Sequence, residues 1–175
     1  MLKKNVRNDL VNLARRHDFD LETQWQIAKC KDAYARYVLA KNRSTHPDVL
    51  VFLAKDRDWH VREAVAGNFN TYNCTLWDLT FDKKREVRYA LVKNNHASAG
   101  MLKMLVNDKS WWIKNAILKH PQCTLEVLAL LVKDRDPFVR YKVARHIRAN
   151  HNLLSLLYFD RDPDVRYEAG KRLGQ

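Results

Sequence analysis

Three columns of basic side chains recur through this sequence at one fixed interval, the interval that separates Arg36 from Arg62. The first is Arg36, Arg62, Arg88, Lys114, Arg140 and Arg166. The second is Lys31, Arg57, Lys83, Lys109, Arg135 and Arg161, and the third is Arg15, Lys41, Lys93, Lys119, Arg145 and Lys171, broken only at Gly67. Together they hold over half of the 32 lysines and arginines. Directly after the first column come Tyr37, Tyr89, Tyr141 and Tyr167, with Glu63 and Asn115 in the other two places. Rows of cations beside a row of phenols are suited to holding phosphates and stacking on bases or ribose. They are not suited to breaking bonds. No Ser-His-Asp, Cys-His or paired-carboxylate arrangement accompanies them, and four glycines in the whole chain leave no Gly-rich phosphate loop.

Each column also has a structural reading. Asp56, Asp82, Asp108, Asp134 and Asp160 stand six residues before the last five members of the first column, with Cys30 in the corresponding first place. An arginine fork matches a carboxylate, so a ladder linking neighbouring repeats is expected there. The second column follows the aspartate into a turn and reads as a solvated edge. The third ends a helix, where cations complement the dipole. The tyrosines could equally cover a groove.

Asn42, Asn68, Asn94, His120, His146 and Arg172 form another row, read as helix C-terminal caps. The histidines show no metal-ligand spacing, and no metal or cofactor is expected. Trp111 and Trp112 are adjacent tryptophans where other repeats have Trp59-His60 or Pro137-Phe138. They are a candidate partner-binding pair. Alternatively, Trp112 shares a row with Tyr34, His60 and Phe138 and packs between repeats.

The elements that position these columns follow from the same period. One segment of each repeat carries leucines three apart, as in Leu50 and Leu53 or Leu128 and Leu131, with Gln24 and Ile27 holding these places in the first copy. The next carries valines four apart, as in Val61 and Val65 or Val139 and Val143. Both spacings predict helices. Pro137 and Pro163 suit a first helical turn, and Asp136 and Asp162 can cap it. Leu2, Val6, Leu10 and Leu13 form an apolar stripe on a terminal capping helix over residues 1–17. Residues 18–175 then hold six two-helix repeats, expected to behave as one array. The predicted class is all-α.

Leu53-Ala54-Lys55-Asp56, Val61-Arg62, Val65-Ala66, Asn68 and Thr71, with Thr45 and Pro47 one repeat earlier, resemble the leucine-rich repeat variant family, a short relative of HEAT repeats. The resemblance covers residues 18–173, and the Asp to Val-Arg spacing carries it. It implies a right-handed superhelical solenoid of short paired helices, and a scaffold rather than a reaction. The period here is longer than the family's. The chain is also similar to HEAT-like DNA glycosylases for alkylated bases, which pair a basic concave face with tryptophans and a carboxylate. Here Trp111-Trp112 is followed by Ile113-Lys114 with no carboxylate in the next turn, so no catalytic residue is named.

The net charge of +12 and pI near 9.8 favour an anionic partner. A hydrophobic content of 46% sets the chain apart from disordered sequences. Cys30, Cys74 and Cys123 are an odd count without a close pair, which argues for reduced thiols rather than a disulfide framework or zinc site. No apolar run reaches the ~18 residues that span a bilayer. The combined expectation is a cytoplasmic, monomeric, non-catalytic scaffold that binds nucleic acid through its phosphate backbone. An acidic protein partner is the second reading and a glycosylase-like enzyme the third.

Overall fold

Leucines three apart and valines four apart give every short segment one apolar face, and the chain folds accordingly in a computed structural model. The structure describes residues 2–175, with side chains from Asp9 onward. Among the described residues the secondary structure is helical throughout. The first helices of the six pairs are α2 (Leu21–Ala28), α4 (Pro47–Leu53), α6 (Asn73–Leu79), α8 (Ala99–Leu105), α10 (Leu125–Leu131) and α12 (His151–Tyr158). The second helices are α3 (Ala33–Lys41), α5 (Trp59–Gly67), α7 (Arg85–Lys93), α9 (Trp111–Lys119), α11 (Pro137–Ala144) and α13 (Pro163–Leu173), and α1 (Leu2–Arg15) precedes them all. From α2 onward, helix starts of each kind recur at the interval of the basic columns.

The chain packs as two units, Met1–Ala97 and Ser98–Gln175. In the first, α1, α3, α5 and α7 lie side by side in one layer, with α2, α4 and α6 behind. In the second, α9, α11 and α13 form the corresponding layer, backed by α8, α10 and α12.

Helices of seven to nine residues are too short to persist alone. Tertiary burial therefore carries them. Leu50, Leu53, Val61 and Val65 are fully buried in the first unit, as are Leu128, Ile113, Ile117 and Val143 in the second. Each such side chain contributes about 1.5–3 kcal/mol on burial. Gln24 and Ile27 take the leucine places in the first pair and are likewise buried. The Gln24 amide is satisfied there, accepting from the His46 N–H and donating to the Phe19 and Ser44 carbonyls.

Helix starts are fixed locally. Asp32, Asp58, Asp136 and Asp162 each accept a backbone N–H two residues on, and Pro47, Pro137 and Pro163 occupy first turns.

The N-terminal stripe is rotated from its expected position. Val11 and Ala14 are buried, while Leu10 and Leu13 are only half-buried. α1 packs against α3, and Ala14 is fully buried. The Leu2 and Val6 side chains lie outside the described residues.

Candidate nucleic-acid interface

The first basic column forms a ladder of bonds. Its arginines are held in two directions. One nitrogen of the fork donates backward to a carbonyl of its own repeat: Arg36 to Cys30 at 2.9 Å, Arg62 to Asp56 at 2.8 Å, Arg88 to Asp82 at 2.7 Å and Arg140 to Asp134 at 2.7 Å. The remaining nitrogens reach forward to the next repeat's aspartate. Arg36 grips Asp56 at 2.5 and 3.0 Å, Arg62 grips Asp82 at 2.6 and 3.1 Å, and Arg140 grips Asp160 at 2.7 and 2.8 Å. The Lys114 ammonium donates to Asp134 at 2.6 Å. Each aspartate also accepts the N–H two residues ahead, as Asp56 does from Asp58 and Asp160 from Asp162.

Burial is the largest single influence on Asp82 and works against its ionisation, but the Arg62 hydrogen bond, the Lys84 N–H and the charges of Arg62 and Arg88 together outweigh it and hold the carboxyl below its ordinary range. The Arg140 hydrogen bond does the same for Asp160. A fork saturated by a carboxylate and a carbonyl has little left for a phosphate, so Arg36, Arg62, Lys114 and Arg140 serve the fold first. Arg166 is the last member of the column, and its fork meets the carbonyls of Asp160 and Arg161.

A second ladder runs through the polar row behind the second helices. The Asn42 amide donates to the carbonyls of Ala14 and Arg16, and Asn68 donates to those of Ala40 and Asn42. Asn94 does the same with Ala66 and Asn68, and Arg172 with Ala144 and His146. These residues cap the preceding repeat's helix, not only their own. His146 fits the row as a neutral imidazole. Its Nδ1 accepts from the Arg148 N–H at 3.1 Å, leaving Nε2–H to donate to Leu118 at 3.0 Å. Burial pushes its pKa below the ordinary value.

The third column has the opposite character. Arg15, Lys41, Lys93, Lys119, Arg145 and Lys171 are all exposed at the ends of α1 and the second helices. The second column is exposed too, in the turns before those helices. Along each second helix, solvent meets positions spaced i, i+3 and i+7, which fall on one face. In α3 these are Tyr34, Tyr37 and Lys41; in α7, Glu86, Tyr89 and Lys93. In α9 they are Trp112, Asn115 and Lys119; in α11, Phe138, Tyr141 and Arg145; and in α13, Asp164, Tyr167 and Lys171. Cations lie against rings along this face. Lys41 is 5.4 Å from the Tyr37 ring centre, Arg145 5.8 Å from Tyr141, and Lys142 5.1 Å from Phe138. The α5 face, with His60, Glu63 and Gly67, lacks this combination.

The two tryptophans have separate roles. Trp111 is half-buried and packs against Phe138 at 5.6 Å, bridging α9 and α11. Trp112 is 64% exposed. Tyr34 and Phe138, which the sequence placed in a row packed between repeats, are each 45% exposed. Their place on the open face is readable from the i, i+3, i+7 spacing, a pattern that a column-by-column reading passes over. In the second unit, a groove of about 470 Å³ opens beside Phe138, Tyr141 and Tyr167, and Asp162, Asp164 and Glu168 make its far wall acidic.

Compared with known protein families and curated proteins, the sequence matches no family model and no curated protein. Among the described residues, no group of three His, Cys, Asp or Glu side chains could hold a metal ion. Among the same residues, no helix is long and apolar enough to cross a membrane.

Proposed function

We propose that this protein is a non-catalytic scaffold that binds nucleic acid through the phosphate backbone. In this reading its repeats form a right-handed solenoid of the leucine-rich repeat variant type, six two-helix copies behind an N-terminal capping helix, working as a cytoplasmic monomer. One observation carries the binding assignment. The third basic column stands exposed at the ends of the second helices, beside aromatic side chains of the same helices, while first-column cations are tied to aspartates. Stacked helices lie ~8–10 Å apart, close to the rise of three nucleotides at ~3.4 Å each. Cations repeated at that interval can follow a phosphate chain without reading its bases. Lys41, Lys93, Lys119, Arg145 and Lys171 are assigned the phosphates, with Tyr37, Tyr89, Tyr141 and Tyr167 alongside. Arg166 adds positive field from the first column.

Fluorescence anisotropy of labelled oligonucleotides at physiological salt tests this. The variant Lys93→Glu/Lys119→Glu/Arg145→Glu should bind at least about ten-fold more weakly than the parent, with its helical circular dichroism unchanged. An unaltered affinity in that variant would remove the third column from the interface. No binding by the parent protein would point instead to an acidic protein partner.

A further inference from the structure

We infer that the layer formed by α9 and α11 is a base-stacking platform that selects single-stranded nucleic acid over duplex, an assignment that rests on the binding function proposed above. Four rings run across these two helices: Trp112 to Trp111 at 5.1 Å, Trp111 to Phe138 at 5.6 Å, and Phe138 to Tyr141 at 6.3 Å between centres. Trp112 and Phe138 keep much of their surface in solvent, although a protein normally buries rings of this size. Trp111, half-buried between them, fixes their spacing.

Cations frame the same surface. Lys119 ends α9 one turn past Asn115, Arg145 lies against Tyr141, and Lys142 lies against Phe138. A strand laid here would find a ring for a base and an ammonium or guanidinium for the adjoining phosphate within two turns of one helix. Duplex DNA offers such a surface only phosphates, because its bases are already stacked on one another. Single strands expose base faces, and any base can use a ring, so selectivity for strandedness comes without selectivity for sequence.

Charge also bounds the platform. On α13 the corresponding face begins with Asp164, and Glu168 sits 3.8 Å from Arg145. Together with Asp162 these carboxylates line the groove beyond Tyr141 and repel a phosphate there. The stacking platform therefore spans α9 and α11 and ends before α13, whose Lys171 stands at the other end of the helix from Asp164.

The test compares an oligothymidine of about 15 nucleotides with a duplex of equal length, using the whole chain at physiological salt. The parent protein should prefer the single strand by about ten-fold or more. Trp112→Ala/Phe138→Ala should lose about ten-fold or more in single-strand affinity and change less than about three-fold for duplex. Trp112→Phe/Phe138→Tyr, which keeps the rings, should retain the preference and excludes misfolding as the cause of the loss. Equal binding of both forms by the parent, or a parallel loss for both in the alanine variant, would overturn the platform while leaving the phosphate-binding function in place. Binding of neither form by the parent would overturn both.

Discussion

Arg140 and Arg166 hold the same position in their repeats, yet their surroundings give them different energetic roles. Arg140 keeps only 5% of its side chain exposed and donates through two of its nitrogens to Asp160. Arg166 is exposed and meets only carbonyls. Removing one member of a buried pair leaves the other charge without a partner. Asp160→Ala is therefore expected to cost about 3 kcal/mol or more, whereas Arg166→Ala should stay within about 1 kcal/mol. Urea midpoints of the two variants check this, and comparable losses in both would contradict the ladder as the source of the difference. The aspartate-to-arginine spacing was plain in the sequence. Its meaning was only partly so, because the aspartate six residues before each arginine supplies its backbone carbonyl, while the carboxylate comes from the following repeat. Sequence spacing shows which residues recur, but which copies touch depends on how the helices stack.

At the scale of the helix, the row from Asn42 to Arg172 shows how short segments are joined. Asn42, Asn68, Asn94, His146 and Arg172 close backbone carbonyls that the preceding repeat's second helix leaves open. The sequence identified the row as caps but not the helix being capped, since a helix end and the capping residue of the next repeat meet only after stacking. The apolar spacing, by contrast, located the helices well because burial drives them, and the leucine and valine places all proved interior. His146 makes this row sensitive to pH. Its folded-state pKa lies below the unfolded value of about 6.5, so its contribution is fully present above that pH. The contribution falls away as acidification carries the solution through the folded value. Protonation places a hydrogen on Nδ1, where the Arg148 N–H is already bound. Between pH 7.5 and about 5.5 the parent protein should lose more stability than His146→Asn, whose amide can replace both bonds as Asn68 does. Identical pH profiles for the two proteins would show that His146 is not held neutral.

For the molecule as a whole, charge separates into a part spent inside the fold and a part shown to solvent. The net charge of +12 was legible from composition. Composition could not distinguish the three columns, since lysine and arginine recur at the same interval in each; only burial and pairing do so. The measurement that tests the central claim most directly is the salt dependence of single-strand affinity for the parent and for Lys41→Gln/Lys93→Gln/Lys119→Gln. If these lysines hold phosphates, the slope of log affinity against log salt should become shallower by about 2, at roughly 0.7 for each phosphate no longer neutralised. Parallel slopes would contradict the account, placing the phosphate-binding cations elsewhere or showing that phosphates are not what this surface binds.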